Sequence, residues 1–580
     1  MDNGRNNLHI EFNNLSEAAL QKALQRLTRE QVIRRIWDHD HTVWSDCPAE
    51  ISIRLGWLYS HKSIAENIES IYEFVEQIRV EGYTKALLLG MGGSSLAPEV
   101  FRKVFGVQDG YLDLDVLDST DPGAILEKER AIETHKTLFI VSTKSGGTVE
   151  TLSLMKHFYN KTILASGQEK AGRHFIAITD PGSSLEKSAE ELRFRKTFLN
   201  DPDIGGRYSA LSYFGLVPAA LIGINLQRLL HNAATMAIAA YSFNRPLKES
   251  NSPAWLGAAL GDLALSGRDK VTFISSPPIK PFGTWIEQLV AESTGKEGKG
   301  LVPVNGEPLA APEIYTNDRL FVYFRLAGDT TYDQDLNRLK VAGHPLIQLN
   351  LQNEYDLGGE FFRWMMATAI TGWFLGVNPF DQPNVESAKA LTNKMVAVYQ
   401  DKGKLPSLNP DLEVEGIKAY SEHRADSLQQ LWRDFLKQAK PGENEGKGRS
   451  YIAIQAYLPP DPETDQALQG LRDKLQTSYR MASTVGYGPR FLHSTGQLHK
   501  GDAGNGLFIQ LTAEAAEDLP IPDQPGSNSS TISFDTLKNA QVLGDRQALL
   551  NAGRKVISFH FNKDIKKAIA RLSEALEKQN

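Results

Sequence analysis

The chain contains 580 residues, which is too many for one hydrophobic core and indicates about three or four domains. Apolar residues make up 41% and charged residues 23% of a chain whose net charge is −7; this is an ordinary globular composition, without the basic surplus that favours nucleic-acid phosphates. Cys47 is the only cysteine, so intrachain disulfides, thiol-rich zinc sites and iron–sulfur clusters are excluded.

The N-terminal part of the chain has helical patterning that gives way to alternating strands and helices. Helical periodicity runs from about Leu15 to Ile36, and two further helical stretches continue to about Val80. Short apolar runs, most of them continuous, follow at Ala86–Leu89, Leu114–Leu117, Leu138–Val141, Phe175–Ile178 and Thr197–Leu199. Continuous runs are typical of strands buried on both faces. Their alternation with helices predicts right-handed crossovers and a mostly parallel, doubly wound sheet.

The same alternation begins again after a helical interval. The predicted strands are Val271–Ile274, Leu320–Phe324 and Leu346–Leu349, and the predicted helices are Trp285–Ser293 and Phe361–Leu375. These elements predict a second sheet of the same kind. The charged segment Lys440–Arg449, which contains glycine and proline, is typical of a linker. Beyond it we predict strands at Tyr451–Leu458, Gly506–Leu511 and Val556–Phe561, and helices at Thr464–Gln476, Thr536–Ala552 and Ile565–Lys578.

We therefore predict an α/β protein with two doubly wound, mostly parallel domains and a smaller C-terminal α/β domain. The predicted boundaries are residues 1–65 for an N-terminal helical segment, 66–250 and 251–400 for the two doubly wound domains, 401–450 for a helical connection and linker, and 451–580 for the C-terminal domain.

Two glycine-rich loops each join a predicted strand to a predicted helix. Gly90–Ser95 (Gly-Met-Gly-Gly-Ser-Ser) lacks the third glycine of a dinucleotide fingerprint. Ser142–Thr148 (Ser-Thr-Lys-Ser-Gly-Gly-Thr) offers four hydroxyls, one ammonium and two glycines, and this density of short donors suits a phosphate monoester. Its residue order is not that of a Walker A loop. We predict a phosphate cradle here, with a helix N-cap rich in Ser and Thr as the alternative.

Further motifs follow these loops in a fixed order. The loops and Ala177–Asp180 (Ala-Ile-Thr-Asp) resemble the sugar isomerase fold. Three more segments resemble motifs of the phosphoglucose isomerases: Gly205–Ser209 (GGRYS), Gln288–Lys296 (QLVAESTGK) and Asn378–Lys389 (NPFDQPNVESAK). With Gly486–Gln497 included, the chain is most similar to the isomerase half of bifunctional transaldolase–phosphoglucose isomerases. It has no room for the transaldolase half, which is a β/α barrel of ~250 residues.

The resemblance implies an aldose–ketose isomerase of sugar phosphates with Glu292 as the proton-transfer base and Arg207 as the stabiliser of a cis-enediolate. Glu292 lies one helical turn from Gln288, so both side chains share a face. A carboxylate in a desolvated pocket gains basicity. The guanidinium of Arg207 is always protonated, as a group facing a developing oxyanion must be.

Ring opening is the step for which the resemblance is least complete. In the family, a lysine that matches Lys389 takes part in opening the ring, and a glutamine that matches Gln382 contacts the phosphate end. No segment matches the family's histidine motif. His344 is the best-placed candidate between Glu292 and Lys389, and His493 is a weaker one. The family histidine reaches a neighbouring subunit's site, so the resemblance also implies a homodimer.

The predicted site needs no cofactor and no metal. Alternate residues on a helix point in different directions, so Asp38-His39-Asp40-His41 is better explained as solvated charge at a helix end than as a metal site. The predicted substrate-binding residues are Gly93, Ser94, Thr143, Lys144, Ser145, Gly146, Gly147, Thr148, Gly206, Gln288 and Gln382.

The predicted reaction is the interconversion of glucose 6-phosphate and fructose 6-phosphate, as part of glycolysis and gluconeogenesis. Mannose 6-phosphate isomerisation is an alternative, and a non-catalytic sugar-phosphate sensor is another, although a sensor would need neither Glu292 nor Arg207. The segment Met1–Asn6 lacks the apolar stretch of a signal peptide, and no run of ~18 apolar residues occurs. We therefore expect a cytoplasmic protein with no membrane or nucleic-acid partner.

Overall fold

The structure is a computed structural model that describes residues 10–242, 251–422, 424–442, 448–562 and 564–576; Met1–Asn6 lies outside them. The N-terminal elements are β1 (Ile10–Asn13), α1 (Glu17–Arg29), α2 (Val32–Trp37) and α3 (Ser60–Val80). Ser16 caps α1 by accepting a hydrogen bond from the Ala19 N–H. The single helix predicted for Leu15–Ile36 is wrong, because Gln31 has a left-handed φ of 51° and separates α1 from α2.

The first sheet contains five parallel strands in the order β3-β2-β4-β5-β6. The strands are β2 (Lys85–Gly90), β3 (Asp113–Leu117), β4 (Thr137–Ser142), β5 (Phe175–Thr179) and β6 (Lys196–Leu199). The helices are α4 (Leu96–Phe105), α5 (Pro122–Arg130), α6 (Val149–Ser166), α7 (Gln168–Ala171), α8 (Ser184–Glu191), α9 (Tyr213–Leu221) and α10 (Leu226–Ala240). Every residue of the central strand β4 is buried, which is why its apolar run is continuous.

The second sheet has the order β1-β10-β9-β7-β8, with β1 antiparallel to its neighbour and the other strands parallel. The strands are β7 (Lys270–Ser275), β8 (Val302–Asn305), β9 (Arg319–Leu326) and β10 (Leu346–Leu351). The helices are α11 (Ser252–Leu265), α12 (Phe282–Thr294), α13 (Asp333–Val341), α14 (Leu357–Leu375) and α15 (Pro383–Lys402). The sequence analysis missed β1 and β8, which are only four residues long.

The third sheet contains six strands in the order β11-β12-β18-β15-β13-β14. The remaining elements are β11 (Leu412–Val414), β12 (Ile417–Tyr420), α16 (Leu428–Leu436), β13 (Tyr451–Tyr457), α17 (Pro462–Tyr479), β14 (Ala482–Tyr487), α18 (Gly496–Gly501), β15 (Gly506–Ala513), β16 (Pro520–Ile521), β17 (Ile532–Ser533), α19 (Phe534–Asn551), β18 (Lys555–Phe561) and α20 (Ile565–Glu574). Residues 443–447 of the predicted linker, and Lys578 at the end of the last predicted helix, lie outside the described residues.

All three sheets share one strand order. It reads β3-β2-β4-β5 in the first sheet, β8-β7-β9-β10 in the second and β14-β13-β15-β18 in the third. In each set the first strand along the chain lies between the second and the third, so successive crossovers leave in opposite directions. This reversal opens a crevice at the carboxyl ends of the strands, where doubly wound folds bind ligands. The predicted α/β class with doubly wound, mostly parallel sheets is confirmed.

The largest hydrophobic core joins the N-terminal helices to the first two sheets. Its central helix is α14, in which every residue is buried, including the ion-paired Glu360 and Arg363 (3.0 Å). The helix packs against α10, α11 and α12. In the described part of the chain, no helix combines the length and the apolar character that crossing a membrane requires.

Candidate active site

The loop after β2 packs directly on the Gly-Gly-Arg segment. Gly92–Ser94 forms a 3-10 turn, and Ser94 is buried. A Cβ atom on Gly93 would lie 2.1 Å from the carbonyl oxygen of Gly206, whereas a Cβ on Gly206 would meet no atom within 4 Å. A Cβ on Gly92 would lie 2.7 Å from the carbonyl oxygen of His493. The glycines of this loop therefore allow three distant backbone segments to meet.

The loop after β4 is anchored to the first loop and folds tightly on itself. The Ser142 hydroxyl donates to the Ser94 carbonyl (3.1 Å). The hydroxyls of Thr143 and Thr148 are 2.9 Å apart. Gly146 has a φ of 74°, and a Cβ there would lie 2.5 Å from the backbone nitrogen of Leu185 in α8, so this turn and its close approach to α8 require glycine.

The ammonium group of this second loop points away from the predicted cradle. Lys144 forms an ion pair with Asp180 and donates to the Pro202 carbonyl (2.8 Å). It is not among the residues that line the neighbouring cavity. The loop residues that line the cavity are Ser145, Gly147 and Thr148, two of which carry hydroxyls, and the prediction that Lys144 binds there needs correction.

That cavity, of about 190 Å³, lies between the second loop, α15 and the third sheet's connections. Ser145, Gly147 and Thr148 line it from the loop, and Lys389 lines it from α15. Lys389 is half exposed and pairs with Glu386 at 2.9 Å. The remaining lining residues are Val149, Glu150, Val385, Ala388, Thr392, Asn393, Leu492, His493, Gly496, Lys500 and Gln541.

Arg207 is held at five points. Its Nε donates to Ser293 (2.8 Å), and its Nη1 donates to Glu292 (3.3 Å) and to the Gln382 side chain (3.0 Å). Its Nη2 donates to the carbonyls of Pro379 (2.7 Å) and Asp381 (2.9 Å). A guanidinium has five N–H groups, so this one is fully committed within the protein. The structure brings Arg207, Glu292 and Gln382 together in one cluster.

Glu292 is buried near the end of α12, one turn after Gln288. Its Oε2 accepts from Arg207 and from the Gln288 side chain (3.3 Å each), while Oε1 accepts no hydrogen bond from any residue that the structure describes. Burial raises the pKa of Glu292, although the Arg207 charge opposes the shift. The carboxyl group thus has one oxygen held and one uncommitted, with a basicity above that of an exposed glutamate.

A second buried cation, Lys296, helps to hold the segment that contains Gln382. Its ammonium donates to the carbonyls of Asn378 (2.7 Å) and Asp381 (2.6 Å) and to the Asp381 carboxylate (2.7 Å). Burial, reinforced by the nearby Arg207 charge, lowers the pKa of Lys296 to about 8. Lys296 is part of the quoted motif, but the sequence analysis gave it no role.

His344 does not reach this cluster, so its predicted role in ring opening is corrected. It precedes β10, where its Nε2 lies 3.0 Å from the Pro312 carbonyl and its ring packs edge-on against Tyr315 and Phe321. Burial lowers its pKa. Both aromatic rings belong to a small apolar cluster, which is the environment of a structural histidine.

His493, the weaker sequence candidate, lines the cavity instead. Its Nε2 lies 2.9 Å from the Glu150 carboxylate, and its carbonyl accepts from Gln288 (2.8 Å). Burial is the largest influence on the pKa of His493 and would lower it, but the charge of Glu150 and the hydrogen bond to it together raise the pKa. Glu150 also accepts from Gln541 (2.7 Å), and its own pKa is lowered because the charge of His493 and the hydrogen bond to it together exceed the effect of burial.

The sequence analysis missed Glu150 and Gln541. Glu150 follows the cradle by two residues, so a carboxylate in the first turn of α6 was a usable signal. Gln541 lies in α19, about 390 residues further on, and no sequence pattern marks it. Among the described residues, no cluster of three or more His, Cys, Asp or Glu side chains could hold a metal ion.

Comparison with known proteins adds to this geometry. Residues 52–307 match the family model for phosphoglucose isomerase. Glucose-6-phosphate isomerases of Rubrobacter xylanophilus and Carboxydothermus hydrogenoformans are each 28% identical, over 56% and 66% of this chain and 86% and 94% of theirs. A hypothetical protein of Thermus thermophilus superposes with a TM-score of 0.58 at 26% identity, over 67% of this chain and 100% of that one. The resemblance indicated by the motifs is confirmed, and about a third or more of this chain lies outside each match.

Proposed function

We propose that this chain is a glucose-6-phosphate isomerase, with Glu292 as the base that moves the proton between C2 and C1. Sugar-phosphate aldose–ketose isomerisation is the activity that the family match and the named relatives support. The observation that carries the assignment is the buried Glu292–Arg207 pair, joined through Gln288 to His493 and hence to the hydroxyl-rich cavity.

The proton transfer follows from the two oxygens of Glu292. Oε1 takes the proton from C2 of the open aldose while the C1 carbonyl oxygen gains the electron pair, giving a cis-enediolate. The same carboxyl returns the proton to C1 as the carbonyl forms at C2, and the C2 hydroxyl proton ends on O1. Because Oε2 stays bound to Arg207 and Gln288, the carboxyl group keeps one orientation through both half-steps.

Arg207 acts in this proposal as a fixed positive charge. Its five N–H groups are engaged by the protein, so it stabilises the enediolate through the low-dielectric interior and not through a new hydrogen bond. The same charge opposes the rise in the pKa of Glu292 that burial causes, and it thereby favours the ionised carboxylate that proton abstraction requires.

We assign ring opening to His493 and Lys389, which line the same cavity. His493, whose pKa is raised beside Glu150, is suited to give a proton to the ring oxygen. Ser145, Gly147 and Thr148 are proposed to hold the phosphate group by hydroxyls and backbone N–H groups.

All these groups belong to one chain, so the proposed site is complete without a partner subunit. The homodimer implied by the family resemblance stays a prediction, as does the cytoplasmic location. Sedimentation of the full chain across a range of concentrations tests the dimer.

A coupled assay with the full chain tests the function. Glucose 6-phosphate and mannose 6-phosphate are supplied separately, and fructose 6-phosphate formation is followed in the parent protein and in Glu292→Gln. We expect turnover of glucose 6-phosphate that Glu292→Gln abolishes. Preferential turnover of mannose 6-phosphate would favour the related isomerase, and tight binding without turnover of either sugar phosphate would favour a sensor.

A further inference from the structure

A second, larger cleft of about 610 Å³ lies between the second and the third sheets. Its floor is formed by the carboxyl ends of β7 and β8, and α12 supplies one wall. The opposite wall consists of α17, the end of β14 and the 3-10 turn Arg490–His493. None of the cradle residues, Arg207 or Glu292 lines it.

The cleft lies at the carboxyl end of the second sheet, as the cradle lies at the carboxyl end of the first. The strands β7 and β9 correspond to β2 and β4 in the shared strand order, and the cleft includes the last residues of β7 and Tyr332, which follows β9. Ligands in doubly wound folds bind where the crossover direction reverses. The fold thus provides two crevices of the same kind, of which the proposed isomerase site uses one.

Several charged groups of the cleft are already committed to structural contacts. Arg472 donates to Ser483 and to the Asn305 carbonyl (2.9 Å). Glu307 pairs with Arg319 at 2.7 Å. Asp465 accepts from the Tyr487 hydroxyl (2.6 Å). These groups shape the walls and leave little charge for a ligand.

Three other ionisable groups line the cleft. The side chains of Lys280 and Glu287 form no hydrogen bond or ion pair with any residue that the structure describes. Arg490 lies 2.9 Å from Asp118 through Nε, but its buried Nη2 donates to no acceptor among the described residues. Burial raises the pKa of Glu287 to about 7, so this carboxyl group is readily neutralised. Lys280 and Arg490 thus supply positive charge to a cleft whose lining carboxyl group, Glu287, can hydrogen-bond without repelling an anion when it is neutral.

We propose that this cleft is a second ligand site, which binds a small phosphorylated or carboxylated polyol through Lys280 and Arg490. Glu287 and the unpartnered Gln469 carbonyl oxygen then receive or orient the hydroxyl groups. One turn, Arg490–His493, separates the cleft from the first cavity. Arg490 and Phe491 line the cleft, and Leu492 and His493 line the cavity.

Calorimetric titration of the full chain tests the proposal without depending on turnover. The background carries Ser145→Ala and Thr148→Ala, which remove the two loop hydroxyls that line the first cavity. Glycerol 3-phosphate and gluconate are the two probes, and they distinguish a phosphorylated from a carboxylated ligand. Lys280→Glu is compared with Lys170→Glu, a charge reversal at an exposed lysine that lines neither cavity.

We expect at least one probe to bind at one site per chain, with affinity reduced by about tenfold or more in Lys280→Glu and by less than about twofold in Lys170→Glu. Thermal unfolding of both variants should match that of the background, because both lysines are exposed. Absence of binding by both probes, or equal weakening by the two charge reversals, would overturn the proposal.

Discussion

At the scale of single residues, the proposed chemistry depends on how completely each charged side chain is already bound. Arg207 has no free N–H group, Glu292 has one free oxygen, and His493 is paired with Glu150 through one nitrogen. A sequence motif identifies Arg207 and Glu292 but does not show which of their atoms are already hydrogen-bonded within the protein. The roles of fixed charge, base and acid follow from the hydrogen bonds, which only the folded chain displays.

The base is tested by Glu292→Gln, which keeps the shape of the side chain and removes the proton acceptor. We expect kcat to fall by ~10³-fold or more, with KM nearly unchanged, because the phosphate is bound elsewhere. Steady-state kinetics of both proteins supply the comparison. Retention of more than roughly a tenth of the parent kcat would assign the proton transfer to another group.

The pH profile tests the two perturbed groups together. The base must be ionised, so activity falls as the pH drops through the raised pKa of Glu292. The acid must be protonated, so activity falls as the pH rises through the raised pKa of His493. We expect a bell-shaped kcat/KM profile whose acid limb lies above the ordinary glutamate pKa of about 4.3 and whose alkaline limb lies above the ordinary histidine pKa of about 6.5. Loss of the alkaline limb in His493→Gln would confirm its assignment, and an unchanged limb would contradict it.

The two histidines provide a matched pair for the ring-opening step. His493→Gln should lower turnover of cyclic glucose 6-phosphate by ~10²-fold and spare a shorter aldose phosphate that cannot cyclise through its fifth hydroxyl. His344→Gln changes a histidine of the same type far from the cavity and should leave kcat unchanged. NMR of C2 proton exchange with solvent reports proton transfer in each case. Equal losses from both variants would indicate a general folding defect.

At the scale of elements, continuous apolar runs predicted the central parallel strands of the three large sheets, because burial on both faces leaves few polar positions, whereas β1, β8, β11, β12 and β14 were missed. The missed strands β8 and β14 have the sequences Val-Pro-Val-Asn and Ala-Ser-Thr-Val-Gly-Tyr, whose polar, proline or glycine residues hide them. The break between α1 and α2 depends on one left-handed residue, Gln31, which helical periodicity does not reveal. The sequence analysis ranked His344 above His493 because His493 lies about a hundred residues beyond Lys389, in a connection of the third sheet.

The contact between the two glycine segments supplies an element-scale prediction. Gly93→Ala would place a Cβ atom 2.1 Å from the Gly206 carbonyl, so the backbone must separate and carry Arg207 with it. We expect kcat/KM to fall by ~10²-fold, the effect of a displacement of about 1 Å. Gly206→Ala is the matched control, because its Cβ would meet no atom within 4 Å. Similar kinetics for both variants would show that this close approach does not position the site.

At the scale of the whole molecule, the third sheet is part of the same packed body as the second. A hydrophobic cluster joins Ala291 of α12, Val302 and Val304 of β8, and Leu498 of α18 to residues of the third sheet. A Cβ on Gly295 would lie 2.5 Å from the Cα of Leu498, so backbone from the two sides is in direct contact. The residue that completes the proposed site, His493, precedes α18 by three residues. Its position therefore depends on this interface.

Differential scanning calorimetry tests whether the sheets unfold together. Leu498→Ala truncates a side chain at the interface, and Leu475→Ala truncates one that is buried only within the third sheet's own core. Each change should cost about 2–5 kcal/mol. If the interface makes the molecule cooperative, the parent shows one transition and both variants lower its Tm without splitting it. If the third sheet were an independent unit, the parent would show two transitions, and Leu475→Ala would move only one of them. A single transition whose Tm both substitutions lower would show that the third sheet does not unfold separately from the rest of the chain. The position of His493 would then depend on the stability of the entire chain.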